Sequence, residues 1–193
     1  MNPAIANQQS ARGSAFRMAR IAGVFYAVNI LTSIDSYFGP RNRLAFIAGL
    51  VATAAYIAVT VLFYFLFRPV SRNLSFLAAC FSMAGGAVGW HLIPLKIDPL
   101  VFFAVYCLLI GSFILRSSFL PKFLGFLLIL AGIGYAAYLW PPLGKALFPY
   151  DVIPGGVGES ILTVWLLVKG VNEQRWQELA RAGKKLRAES SRP

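Results

Sequence analysis

The sequence predicts an all-α polytopic membrane protein, a bundle of six transmembrane helices with a C-terminal amphipathic helix. Of its 193 residues, 58% are hydrophobic and 13% are charged, against about 45–50% and about 25% in soluble domains. The uncharged residues form six runs, and a basic tail follows the last run. Because so few polar residues cannot cover an apolar chain in water, we expect the chain to face a bilayer. The composition excludes a soluble globular enzyme and a disordered chain.

Six spans are predicted because one charge at the bilayer centre costs about 2.5–3.5 kcal/mol, so runs without Asp, Glu, Lys or Arg mark the crossings. With their flanks, these runs approach the length of about 20 residues that a crossing requires. The predicted organisation is a cytoplasmic segment (1–18), a transmembrane domain (19–170) and a basic, partly helical cytoplasmic tail (171–193). The spans lie near residues 19–38, 44–67, 74–95, 99–116, 121–140 and 152–170.

The basic residues predict the orientation of these spans. Fourteen of the 18 Lys and Arg residues fall in the two terminal segments and in alternate loops, and the opposite loops carry the remaining four. The positive-inside rule therefore predicts that both termini are cytoplasmic. Because the basic residues are spread between apolar runs rather than clustered on one solvated face, no nucleic-acid partner is expected despite a net charge of +11.

The tail predicts an amphipathic helix, since Trp176, Leu179 and Leu186 recur at helical spacing. Its basic residues are candidates for contact with anionic lipid headgroups. A solvated helix without membrane contact is the alternative. The candidate lipid contacts are Arg181, Lys184, Lys185 and Arg187.

Polar side chains share one face on several of the predicted spans, and such faces should point into the bundle because lipid offers them no partners. Together with the single histidine, they give a set of candidate ligand-binding residues. The alternative is hydrogen bonding between helices, or of hydroxyl groups to the carbonyl four residues earlier. The candidates are Asn29, Ser33, Tyr56, Thr60, His91, Glu159 and Thr163.

Glu159 is the candidate with the strongest chemical argument, because it is the only acidic residue deep inside a run. An ionisable residue within a span indicates a functional site. Glu159 is therefore the candidate catalytic acid or base, and His91, beside Trp90, is a weaker one. The alternatives are a carboxyl group that only stabilises the bundle and an interfacial aromatic pair of His91 with Trp90.

Metal and cofactor sites are not predicted. A metal centre would need more ligands than one histidine and two cysteines that lie apart, inside apolar runs. Cys80 and Cys107 are instead expected to pack as small hydrophobic residues.

Four segments resemble the bacterial membrane family known as domain of unknown function 4386. They begin at Arg20-Ile21-Ala22-Gly23 and include Ala131-Gly132-Ile133-Gly134-Tyr135 and Gly158-Glu159. The longest is Arg116-Ser117-Ser118-Phe119-Leu120-Pro121-Lys122-Phe123-Leu124-Gly125. The resemblance implies a small integral protein of the bacterial inner membrane with about six helices, and it implies no reaction.

Three functions remain open from the sequence. The first is binding or moving a small or lipidic ligand in an intramembrane polar pocket around Glu159. The alternatives are an intramembrane enzyme that acts on a lipid or isoprenoid through Glu159, and an accessory subunit that packs against a membrane protein partner. A closed pocket around Glu159 would favour a binder or enzyme, a continuous water path a transporter, and a solid core a subunit.

Overall fold

The computed structural model describes residues 13–38, 42–90 and 92–190; for residues 34–38, 184 and 186–190 it describes the backbone only. Over this part of the chain the fold is all-α, with eight α-helices and no strand, which confirms the all-α part of the prediction there. The helices are α1 (Ser14–Phe38), α2 (Arg43–Phe67), α3 (Arg72–Gly89), α4 (Pro99–Arg116), α5 (Lys122–Ala136), α6 (Pro141–Leu147), α7 (Ile153–Val168) and α8 (Glu173–Ser190).

Local sequence signals set several helix ends. The Asn42 side chain accepts a hydrogen bond from the Ala45 N–H and caps α2, and Asp98 caps α4 in the same way, followed by Pro99 in the first turn. Helix α7 ends before Gly170, whose φ of 64° lies in the left-handed region. The ring of Phe16 covers Gly170 closely enough that a Cβ there would lie 2.7 Å from a ring carbon.

Six of the helices form a closed ring. Helix α1 packs against α2 and α7, α3 packs between α2 and α4, and α5 packs between α4 and α7. Consecutive members of the ring run in opposite directions, so the ring has two distinct ends. We call the end where α1 begins and α8 follows α7 the tail end, and the end where α3 stops and α4 begins the cavity end.

Aromatic side chains fill the ring at the tail end. The ring of Phe67, fully buried at the end of α2, lies 5.8 Å from Phe113 and 5.7 Å from Phe119 between ring centroids. Leu66, Ile114 and other fully buried aliphatic residues surround them. These side chains fill the interior of the ring at this end, and a separate pocket of about 380 Å³ lies between Phe119, Trp165 and Lys169 where α7 ends.

Glycines allow α4 and α5 to pack at close range. A Cβ at Gly111 would lie 2.7 Å from the carbonyl oxygen of Gly125, and the reverse distance is the same. On the next turns of α5, a Cβ at Gly132 would lie 2.9 Å from the carbonyl oxygen of Ala104. Small residues at such positions let helix backbones approach, and this approach fixes where the end of α5 lies.

Three of the described helical segments are long and apolar enough to cross a membrane: Arg43–Phe67, Pro99–Arg116 and Lys122–Leu139, the last of which continues α5 through a short 3₁₀ turn. Helix α7 is apolar but shorter, with 16 residues. The helices differ from the predicted spans in three places. Helix α1 begins at Ser14 rather than near residue 19. Helix α3 ends at Gly89, because Gly86, Gly89 and Pro94 disfavour its continuation to Leu95, and the connection after residue 140 contains the short helix α6.

Candidate functional site

A cavity of about 450 Å³ lies inside the ring at the cavity end, and all six ring helices contribute to its wall. It reaches the end of the ring beside Gly89 and Pro99. Small-molecule sites typically have volumes of about 300–1,000 Å³, so the cavity has room for a ligand. Its polar lining residues are Asn29, Ser33, Thr53, Tyr56, Trp90 and Glu159.

Glu159 lies in the second turn of α7, where its side chain is partly buried and faces the cavity. The hydroxyl group of the buried Tyr26 lies near its carboxyl group. The Cys107 thiol lies 4.0 Å from Glu159 Oε1, at the limit of a weak S–H hydrogen bond. Helices α1 and α4 therefore both supply a neighbour to the one carboxyl group in the wall.

A glycine in the first turn of α7 makes room for an aromatic neighbour of Glu159. The Tyr135 hydroxyl group, at the end of α5, lies where a Cβ of Gly155 would otherwise be. Tyr135 and Glu159 both line the cavity, so Gly155 allows the tyrosine to reach the turn that precedes the carboxylate.

Two aromatic rings form a corner of the cavity wall. Tyr56 of α2 and Phe103 of α4 lie 5.6 Å apart between ring centroids, with their planes at 88°. The Tyr56 hydroxyl group lies near Ser82 of α3, and the Ser82 hydroxyl group lies 2.7 Å from that of Thr60, within hydrogen-bond distance. This contact between Ser82 and Thr60 joins α3 to α2 behind the Tyr56 ring.

Trp90 lines the cavity at the end of α3 and connects it to α2. Its indole Nε1 donates a hydrogen bond of 2.6 Å to Thr53 Oγ1, and its ring meets Phe46 edge to face at 6.1 Å. These contacts fix the position of the indole at the mouth of the cavity.

The glycines of α3 differ in the space beside them. A Cβ at Gly85 would lie 3.0 Å from the Phe103 ring, whereas a Cβ at Gly86 would meet no atom within 4 Å. Gly86 lines the cavity. A side chain introduced at Gly86 would therefore extend into the cavity without displacing its wall.

The chain is similar to proteins that carry no assigned reaction. A family model described as a domain of unknown function (DUF4386) matches residues 97–170. A protein of Archaeoglobus fulgidus named only as uncharacterized is 31% identical over 129 residues, covering 59% of this chain and 76% of that protein. The chain belongs to the DUF4386 family. No solved structure matches it.

The segment that the DUF4386 model matches contains α4 to α7, and with them Tyr135 and Glu159. The resemblance predicted from the sequence motifs is therefore confirmed. Together with the apolar helices, family membership is consistent with a membrane protein whose activity the family does not define.

The structure brings four of the sequence-predicted site residues to the cavity: Asn29, Ser33, Tyr56 and Glu159. Asn29 Nδ2 also donates a 3.0 Å hydrogen bond to the Ala52 carbonyl group, which joins α1 to α2. Ligand binding by these residues stays a prediction.

The other predicted site residues lie elsewhere. Thr60 and Thr163 are buried, and each hydroxyl group bonds to the carbonyl group four residues earlier, Thr163 to that of Glu159 at 2.7 Å. His91, which follows the wall residue Trp90, lies outside the described residues. In the described part of the chain no three His, Cys, Asp or Glu side chains form a group that could hold a metal.

Three residues of the cavity wall were not predicted as site residues from the sequence: Tyr135, Trp90 and Phe103. Tyr26, which lies near Glu159, was not predicted as a site residue either. Tyr26 lies at the edge of the polar face of the first span, and Tyr135 ends the motif Ala131-Gly132-Ile133-Gly134-Tyr135. Both residues could therefore have been identified as site candidates from the sequence. Phe103 had no such signal, because an apolar residue in an apolar run does not indicate which neighbour it faces.

The amphipathic helix α8 packs its apolar side chains against the tail end. Trp176 and Leu179 contact the core, and the Trp176 indole donates a 2.8 Å hydrogen bond to the Leu66 carbonyl group of α2. Arg181 and Lys185 are exposed, whereas the side chains of Lys184 and Arg187 lie outside the described residues. Contact of these four residues with anionic lipid stays a prediction.

Proposed function

We propose that the protein spans the bacterial inner membrane six times and binds a small or lipidic ligand in the cavity around Glu159. The six crossings are the helices of the ring. Four of them, α2, α4, α5 and α7, are apolar segments, and α1 and α3 complete the ring. At about 1.5 Å per residue, the 18 residues of α3 extend about 27 Å, close to the hydrocarbon thickness of about 30 Å.

The orientation that we propose has the tail end in the cytoplasm. The described basic residues of the tail end include Arg20, Arg68, Arg116 and Lys122, and α8 adds more, whereas Arg43, Lys96 and Lys145 lie toward the cavity end. The positive-inside rule assigns the richer end to the cytoplasm. The cavity then opens toward the outer face of the membrane.

The single observation that carries the binding function is a carboxyl group facing an open cavity whose other described wall residues are uncharged. Removing a carboxyl group from water is costly. If the role of Glu159 were only structural, a side chain fully packed against its neighbours would serve as well. Glu159 instead meets space large enough for a ligand. Binding is favoured over passage, because the rings of Phe67, Phe113 and Phe119 close the opposite end.

Mass spectrometry of what co-purifies with the protein tests this function. Gly86→Phe should fill the cavity and deplete the bound molecule. Gly156→Phe is a matched control, because a Cβ at Gly156 also meets no atom within 4 Å but this exposed residue does not line the cavity. Both variants should remain monodisperse on gel filtration.

A molecule present in wild type and in Gly156→Phe, and lost from Gly86→Phe, is the expected result. The same content in all three proteins would contradict binding in this cavity.

A further inference from the structure

We infer that the ligand of this cavity is an organic cation, with a quaternary or protonated ammonium group attached to an apolar body. The inference rests on the proposed binding function and adds to it the chemical class of the ligand. Three properties of the wall carry it: its charge, its aromatic corner and its lack of a set of metal ligands.

The wall carries a carboxyl group that no described cationic side chain neutralises. Within the described part of the chain, Glu159 is the only acidic residue that lines the cavity, and no Lys or Arg lines it. Among the described residues Glu159 makes no ion pair, and its neighbours are the Tyr26 hydroxyl and Cys107 thiol groups. A cationic ligand would supply the missing counter-charge, whereas an anionic headgroup would be repelled.

The aromatic corner suits an ammonium group in particular. Cations bind over aromatic faces within about 6 Å of the ring centroid, and cages of several rings recognise quaternary ammonium groups. Tyr56 and Phe103 offer two perpendicular rings, 5.6 Å apart, in the same wall as Glu159. Tyr135 and Trp90 add further aromatic surface. A carboxylate beside such rings can bind the charge and the methyl groups of one ligand together.

A metal cation fits the wall less well. Calcium takes about six to eight oxygen ligands, and magnesium requires near-octahedral geometry. The wall supplies one carboxylate, and much of the remaining surface is glycine, proline and leucine, as at Gly86, Pro99 and Leu100. These residues suit the apolar body of an organic cation, and the described wall offers a metal ion one carboxylate with only neutral oxygen atoms, such as those of Asn29 and Ser33, beside it.

Isothermal titration of the purified full chain in an uncharged detergent tests the inference. The probe is benzyltrimethylammonium, and its neutral isostere is 2,2-dimethylpropylbenzene, in which carbon replaces the charged nitrogen. Phenylmethanesulfonate is the anionic counterpart. Binding in the cavity is defined as the heat signal that disappears in Gly86→Phe and persists in Gly156→Phe. The signal that remains in Gly86→Phe measures partitioning of the probe into detergent and is subtracted.

We expect the cation to bind at least about tenfold more tightly than either counterpart, and Glu159→Gln to weaken it by at least about tenfold. Equal binding of the cation and its neutral isostere, or preference for the anion, would overturn the inference while leaving the binding function intact. If a co-purified molecule depends on Gly86 but the cation gives no cavity-dependent signal, the inference is also wrong. Failure of the proposed function itself would be seen in the co-purification experiment.

A second measurement covers the case in which Glu159→Gln fails to fold. A cysteine at Ser33, in the wall, is labelled with 2-(trimethylammonium)ethyl or 2-sulfonatoethyl methanethiosulfonate, and the parent protein gives the background from Cys80 and Cys107. The reference is the ratio of the rates at which the two reagents label 2-mercaptoethanol in solution, where no protein charge acts. We expect the cation-to-anion ratio at residue 33 to exceed that reference at least about tenfold. A ratio at residue 33 equal to the reference would contradict the inference.

Discussion

The two ends of the ring are held together by different kinds of contact. At the tail end, segments far apart in sequence cap one another: Glu173 Oε2 accepts a 2.8 Å hydrogen bond from the Phe16 N–H in the first turn of α1, and Arg20 donates a 3.2 Å hydrogen bond to the Val168 carbonyl group at the end of α7. These are the groups that helix ends leave without partners. Hydrogen bonds between distant segments therefore stabilise the tail end in addition to the packing of its apolar side chains.

At the cavity end the described caps are local. Asn42 and Asp98 each bond to the first turn of the helix that they precede, and the Trp90 to Thr53 hydrogen bond joins two neighbouring helices. The difference teaches where the ring gains its stability and where it can adapt. Long-range caps and dense packing stabilise the tail end, so the ring can keep an open cavity at its other end. Regions of low contact density, such as the wall of a cavity, are those that unfold locally most easily.

The largest effect that we expect is that the two ends of the ring lie on opposite sides of the membrane. Reporter fusions after Leu143, at the cavity end, and at the C-terminus, beyond the tail end, should give opposite signals, because the proposed orientation puts them on opposite sides. A phosphatase reporter, active outside, and a fluorescent reporter, active inside, measure this. Both fusions reporting the same side would contradict the sixth crossing.

Gly170→Ala should destabilise the tail end. The left-handed backbone alone costs a residue with a Cβ about 1–2 kcal/mol, and the Phe16 ring would have to move as well. The free energy of unfolding, from titration with a denaturing detergent, measures the effect.

The control for this change is Gly86→Ala at the cavity end. Replacing a helical glycine where space is open should stabilise by about 0.4–1 kcal/mol. Changes of equal size and sign at the two positions would contradict the contrast between the ends.

Trp176→Phe should have a smaller effect, because it keeps an aromatic ring against the core and removes one hydrogen bond to Leu66. We expect a loss of about 1 kcal/mol in the free energy of unfolding. The matched control is Trp140→Phe, whose exposed side chain should change stability by less than about 0.5 kcal/mol. Equal losses would mean that α8 does not hold the tail end.

The sequence predicts the helices well because apolar runs, caps and prolines are local signals. The bounds of α2 and α4 follow from Asn42 and Asp98 with the uncharged runs behind them. The early end of α3 and the presence of α6 were harder to predict, because glycine and proline lower helix propensity without fixing where a helix ends. The order of helices around the ring depends on packing between distant segments, such as Gly111 against Gly125.

The candidate site was partly predictable for the same reason. Glu159 and Tyr56 stand out in the sequence as polar residues within apolar runs, and the structure brings both to the cavity. Thr60 carries the same signal but bonds within the bundle, since a hydroxyl group in a helix can satisfy itself on the preceding turn. Phe103 lines the cavity without any sequence signal, because its neighbours are decided by tertiary packing.

The central claim is that the cavity opens toward the outer face while the tail end is closed and cytoplasmic. Labelling of Ser33→Cys with a membrane-impermeant thiol reagent in right-side-out and inside-out vesicles tests it most directly, with Ser118→Cys as the reference for the tail end. We predict that residue 33 is labelled in right-side-out vesicles, that Gly86→Phe blocks this labelling, and that residue 118 is labelled only in inside-out vesicles. Labelling of both residues from the same side of the membrane would contradict the claim.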